Sequence, residues 1–308
     1  MNGEALRSVD LRKVYESRGA PPVEALTGVS MEVHRGERVA LLGRNGAGKT
    51  TFLKIASTLL RPTSGRVEVF GIDIGRYPER ARPYIAVVPQ EGKPFFHLSP
   101  REQIYTYLRA RGFGRETAKA RTEESLERMG LTDFADRLSV TLSGGQRQRT
   151  MVATVIATEA PLLFLDEPTI GMDPFARREV WASLRSLTQK GSTILLTTHY
   201  LDEAEVLSNR LYIVERGAVL LSGTSDELKR SVGGTLKVLV PEGASQIELF
   251  RSFGLCVTDG LALTVIVSPN TLGEVLELVD RSELTATVGP VTLEEAFLRA
   301  VGRSIDED

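Results

Sequence analysis

Residues 37–51 join an apolar run, ERVALLG, directly to the glycine-rich stretch GRNGAGKTT. No other feature narrows the fold as much. A buried strand that turns through glycines straight into a helix belongs at the edge of an α/β sheet. The spacing fits G-x-x-x-x-G-K-[ST], so backbone N–H groups of Gly43, Arg44, Asn45, Gly46, Ala47 and Gly48 are expected to cradle a β-phosphate. Lys49 would reach the β- and γ-phosphates and Thr50 would ligate Mg²⁺, with Thr51 closing the motif. A bare match of this kind also occurs by chance in unrelated chains, so the surrounding pattern has to decide.

That pattern agrees. ERVALLG (37–43), IAVVPQ (85–90), PLLFLDE (161–167) and STILLTTH (192–199) each read as a short buried strand with a polar ending. Ligands of open α/β sheets collect at the carboxyl ends of the strands, which turns Gln90, Asp166, Glu167 and His199 toward one site. Asp166 can hold the Mg²⁺ shell while Glu167 orients and deprotonates a water for in-line attack on the γ-phosphate. Gln90 could contact Mg²⁺ or that water, and His199 could reach the γ-phosphate. Tyr15, in an exposed stretch ahead of the phosphate loop, either stacks on adenine or serves as an ordinary strand aromatic. His34 and His97 read as surface residues.

A second anion-reading feature stands apart from the first. In LSGGQRQR (142–149), Ser143 is a good N-cap, and Gly144 and Gly145 let backbone N–H groups approach a ligand closely. It belongs to a mostly helical stretch of about residues 98–160. The first helix there has Ser99 as N-cap, Pro100 at the first helical position and Glu102 closing a capping box. Arg115–Met129 reads as the next helix.

The chain of 308 residues is long enough for two domains, and its single Cys256 excludes an intrachain disulfide framework. No uncharged apolar run reaches the roughly 18–20 residues of a membrane helix. The longest, 260–273, is interrupted by Pro269, and MNGEALRSVD has no apolar signal region. These features point to a cytoplasmic protein, or one peripheral on the cytoplasmic face. The net charge of −2 is uneven: 7 basic residues face 14 acidic ones from Ser225 onward, leaving the preceding part mildly basic. Residues 223–235, GTSDELKRSVGGT, read as a linker. Beyond them the pattern spells β-α-β-β-α-β, a ferredoxin-like arrangement with one helix over Ala244–Phe253 and another over Leu272–Asp280. Leu249, Phe250, Phe253, Leu272, Val275, Leu276 and Val279 are the expected helical side of its core.

GRNGAGKTT, Gln90, LSGGQRQR, LLFLDEPT, GMDP and TTHYLDEAE, in that order, resemble the nucleotide-binding subunit of ABC transporters over roughly residues 5–224. The C-terminal TLEEAFLRAVG and the forms of the later motifs look most like drug-exporter ATPases of the daunorubicin-resistance type. Met172 stands in GMDP where Leu is usual. The resemblance implies an α/β P-loop cassette over 1–224 with its helical subdomain at about 98–160, plus a small α+β domain over 235–308. It implies ATP and Mg²⁺ as ligands, with Lys49, Gln90, Glu167 and His199 catalytic and Thr50, Gln90 and Asp166 holding the metal. Asp173 would communicate between two sites. Ser143, Gly144, Gly145 and Gln146 would cap the γ-phosphate held by a second copy in a homodimer. The partner it implies is an integral membrane permease on a separate chain, with export as the direction and no nucleic acid involved. Phe95 and Phe96, in GKPFFH after Gln90, either tuck into the helical subdomain or lie exposed where the resemblance places the permease's docking groove. A soluble cassette ATPase acting on DNA or ribosomes is the alternative. DNA-repair relatives split the cassette with a long coiled coil and ribosome-acting ones carry two cassettes, and neither feature is present. A non-hydrolysing cassette is disfavoured by intact Glu167 and His199.

Overall fold

The apolar runs become strands, and a computed structural model describes residues 3–17, 19–90 and 92–302. In chain order the first strands are β1 (Glu4–Ser17), β2 (Ala20–His34), β3 (Arg38–Leu42), β4 (Ser64–Val69), β5 (Ile72–Asp73), β6 (Ile85–Val88), β7 (Leu162–Asp166), β8 (Thr193–Thr198), β9 (Arg210–Glu215) and β10 (Ala218–Gly223). The helices among them are α1 (Lys49–Ala56), α2 (Pro78–Ala81), α3 (Pro100–Ala110), α4 (Arg115–Arg128), α5 (Gly144–Ile156), α6 (Pro174–Gln189) and α7 (Leu201–Leu207). The chain folds as two compact units. One holds residues up to Arg210 with Val214–Val219; the other holds Leu211–Ile213 and the chain from Leu220 on.

The heart of the first unit is a parallel arrangement in the order β3-β8-β7-β6. Every residue of β7 and β8 is buried, as continuous apolar strands of a sheet covered on both faces must be. Register pairs Leu42 with Thr198, Asp166 with Thr197 and Val88 with Leu165. The carboxyl ends therefore finish at one edge, and the residues that follow them meet there. Two glycines let the chain leave that edge closely packed. A Cβ on Gly43 would lie 2.2 Å from the Val214 carbonyl oxygen, and one on Gly48, at φ 100°, would lie 2.4 Å from that of Ala25.

An antiparallel sheet, β2-β1-β4-β5, was not expected from the sequence. Its long strands are broken by repeated register shifts, which scramble the two-residue alternation that would reveal them. In the helical part, α3, α4 and α5 pack on one another. The Ser99 hydroxyl accepts from the Glu102 amide and the Glu102 carboxylate accepts from the Ser99 amide, the expected capping box. Among the described residues no helix is long and apolar enough to cross a membrane.

In the second unit, residues 223–235 are not merely a linker. They contain α8 (Ser225–Arg230), started by a reciprocal Thr224–Glu227 capping box and anchored by buried Leu228. The strands β11 (Leu236–Val240), β12 (Leu255–Asp259), β13 (Ala262–Val267) and β14 (Thr287–Pro290) form an antiparallel sheet in the order β12-β13-β11-β14. Its helices are α9 (Ile247–Phe250), α10 (Leu272–Arg281) and α11 (Leu293–Val301). The helix expected over Ala244–Phe253 shrinks to a 3₁₀ turn at Ala244–Gln246 and the single turn of α9. Ile247, Phe250 and Phe253 reach the core at three-residue spacing, which suits a tight, short helix. Leu249 and Leu276, expected in the core, are instead 51% and 38% exposed. On β11, Lys237 alternates with core residue Val238 and pairs with Glu295 of α11, so α11 lies on the sheet face opposite the Val238 core.

Candidate nucleotide site

At the common strand edge, a cavity of about 650 Å³ is lined by Tyr15, Val23, Ala25, residues 45–51, Gln90, Glu167, Ile170, His199 and Tyr200. All of it lies in the first unit. Lys49, the first residue of α1, is buried. Its ammonium donates to the carbonyls of Gly43 at 2.6 Å and Arg44 at 3.0 Å, and lies 3.8 Å from Glu167. Burial pushes the Lys49 pKa down, opposed by the carboxylates of Glu167, Asp166 and Glu215.

The three residues expected to hold a metal come together. The Thr50 hydroxyl lies 3.1 Å from Asp166 Oδ1 and 3.2 Å from Gln90 Oε1. One hydroxyl proton cannot serve two acceptors at once. Asp166 Oδ1 also accepts from Thr197, while its Oδ2 is buried without a hydrogen-bond partner. Oxygens crowded in this way suit a hard cation such as Mg²⁺. Among the described residues no group of three or more His, Cys, Asp or Glu forms a cation cage.

Glu167 follows β7 at φ 50°, a conformation that side chains other than glycine rarely adopt. Surrounding bonds hold it there. Its amide donates to the Thr197 carbonyl and hydroxyl, both at 3.1 Å. Gln148 of α5 donates to the Pro168 carbonyl at 3.3 Å and to that of Glu167 at 3.5 Å. The Glu167 carboxylate meets His199 Nδ1 at 2.8 Å. The His199 ring in turn lies 4.0 Å, centroid to centroid, from that of Tyr200.

Tyr15 sits at the mouth, 39% exposed, with its hydroxyl 3.4 Å from that of Thr51 and the Lys13 ammonium 5.2 Å from its ring centre. Ser143 and Gln146 form a reciprocal capping box at the start of α5. Ser143 and Gly144 are exposed, and Ser143, Gly144, Gly145, Gln146 and Asp173 do not line the cavity of their own chain. Asp173 caps α6 by accepting from the amides of Ala176 and Phe175, bonds that hold its carboxyl below the usual range. LSGGQRQR and TTHYLDEAE contain Gln148, Thr197 and Tyr200, but the sequence pattern gives none of the three a role. Thr197 was the most accessible of these, since parallel pairing sets it beside Asp166.

Comparison with known proteins agrees with this geometry. The family model described as ABC transporter matches residues 26–170. The daunorubicin resistance ATP-binding protein DrrA3 of Streptomyces coeruleorubidus is 39% identical, over 91% of this chain and 92% of its own. The Nod factor export ATP-binding protein I of Burkholderia orbicola (strain AU 1054) is 34% identical, over 97% and 98% respectively. Among solved structures, an ATP-binding cassette in a dimeric post-hydrolysis state with ADP and Pi superposes with TM-score 0.67 at 26% identity, covering 71% of this chain and 98% of the other. With the phosphate loop, the Asp166–Glu167 pair and His199 gathered at one edge, the chain belongs to the ABC transporter family and is one of its ATP-binding ATPases.

Proposed function

We propose that this ATPase is the motor subunit of an exporter, working as a head-to-tail homodimer against a membrane permease on a separate chain. The observation that carries this reading is Ser143. It is exposed at the N-terminus of a 13-residue helix and lies outside its own chain's nucleotide cavity. A helix N-terminus offers unpaired N–H groups and partial positive charge, so its anion comes from elsewhere, and a two-fold partner supplies one reciprocally. The solved dimeric cassette with ADP and Pi supports the assembly. Full-length relatives named for drug resistance and Nod factor export favour an exporter over work on DNA or ribosomes. In this reading the protein sits peripherally on the cytoplasmic face of the membrane.

The chemistry follows from the site. Tyr15 stacks on the base and the loop amides hold the phosphates. Thr50, Gln90 and Asp166 hold Mg²⁺, which when bound offsets charge on the β- and γ-phosphates. Glu167 takes a proton from water as the water oxygen bonds to the γ-phosphorus and the bond to ADP breaks, giving ADP and phosphate. His199 Nδ1, 2.8 Å from Glu167 Oε2, donates to the carboxylate and holds it in line. Hydrolysis then frees the two copies, the closing and opening that drives transport.

Mixing two dead variants tests the assembly. Ser143→Arg blocks the reader and Lys49→Ala the phosphate loop, so each alone is inactive. A mixed dimer contains one undamaged composite site, and an equal mixture should recover about a quarter of wild-type ATPase activity if pairing is random. No recovery on mixing, with dimers confirmed by size, would overturn the shared-site reading.

A further inference from the structure

Glu203 is fully buried on α7 and takes no part in the chemistry above. Its Oε1 accepts two bonds, from the Thr169 hydroxyl at 2.6 Å and from the Trp181 indole at 3.1 Å. Its Oε2 is buried without a hydrogen-bond partner. Burial raises its pKa, opposed by the Thr169 hydroxyl, the nearby Thr198 hydroxyl, the Trp181 indole and the charge of Arg177. A buried acid left half satisfied is expensive, and such a group calls for a reason.

The geometry points to Glu203 as a positioning residue for hydrolysis, clamping the turn that carries Glu167 to the helix that follows His199. Three elements meet at one oxygen. Thr169 lies two residues beyond Glu167, Trp181 is on α6, and α7 begins two residues after His199. The turn needs such a clamp because Glu167 occupies a left-handed conformation that relaxes unless neighbours fix it. Release of Thr169 would let the turn relax and spoil the 2.8 Å contact between Glu167 and His199. The phosphate-binding residues would be untouched, since the hydrogen bonds of Glu203 run to Thr169 and Trp181 instead. The inference rests on Glu167 being the base.

The test uses full-length protein, steady-state ATPase kinetics and thermal melting. Glu203→Gln keeps an acceptor oxygen and should hold kcat within about threefold. Glu203→Leu removes the acceptor at similar volume, and Thr169→Val removes only the hydroxyl that reaches it. Each should lower kcat at least tenfold with KM for Mg-ATP within about twofold. The double variant should be no slower than the worse single one, because both changes cut one link. Thr169→Val leaves the buried carboxyl in place, so it remains informative if Glu203→Leu does not fold. A Thr169→Val protein with wild-type kcat, or one that loses KM and kcat together, overturns the clamp. Glu167→Gln separates the two readings. If Glu167→Gln turns over normally, the catalytic assignment itself fails; if it is dead while Thr169→Val is fully active, only the clamp fails.

Discussion

Glu167 faces His199 at 2.8 Å and Lys49 at 3.8 Å, so one buried carboxylate has two partners of different kinds. Glu167→Gln keeps shape and removes basicity. Turnover should fall about 10²- to 10⁴-fold, the usual cost of losing a general base, with ATP binding retained. The variant should also accumulate as an ATP-bound dimer on size exclusion. Near-normal turnover would contradict the assignment. At this scale much was legible in advance. Gly43, Lys49, Thr50, Asp166 and Glu167 lie in short motifs whose neighbours in sequence are neighbours in space. Thr169, Trp181 and Glu203 were not legible, because their meeting depends on how α6 and α7 pack beside β7. No local spacing encodes that packing.

At the scale of elements, α5 does two jobs. Ser143 opens it toward solvent, and Gln148 grips the carbonyls behind Glu167. Five residues of helix rise only about 7.5 Å, so on the shared-site reading proposed above the reader of one nucleotide and the backbone of the other site's base would form one short rigid rod. α3 was readable from its start signals, since Ser99, Pro100 and Glu102 are local chemistry. α8 hides in its sequence, because the glycines and serines around it signal a linker more strongly than the Thr224–Glu227 pair signals a capping box. That box gives α8 a pH signature. The Thr224 backbone N–H, and then its hydroxyl, hold Glu227 below its ordinary value of 4.5. A depressed acid stabilises the fold above its unfolded pKa and loses that contribution as pH falls through its folded pKa. Glu227→Gln should therefore flatten the stability profile below about pH 4.5 and leave its shape at neutral pH unchanged, as melts at several pH values would show. The group is exposed, so the effect should be small.

For the whole molecule, the division into two units yields a sharp expectation. Phe250 is fully buried in the second unit, whereas every residue lining the nucleotide cavity belongs to the first. Phe250→Ala should cost about 3–5 kcal/mol in the second unit's core while ATP affinity holds. Calorimetry with an ATP titration checks both, and loss of ATP binding would show the units are not independent. Phe95 and Phe96 are 73% and 48% exposed directly after the Gln90 segment, and exposed aromatics are frequent interface anchors. Phe96→Ala should weaken co-purification of a membrane partner without changing ATP affinity or melting temperature. An intact complex together with a lowered melting temperature would instead make Phe96 a packing residue.

The outward-facing Ser143 also has a genetic meaning. If each copy completes its neighbour's site, an allele damaged at Ser143 harms healthy product made beside it. In a cell expressing both alleles equally, only about one assembly in four would escape the defective copy. Each mixed assembly would keep a single working site, so the damage would be shared with the healthy product, whereas an allele that merely prevented folding would leave every remaining assembly with both sites intact.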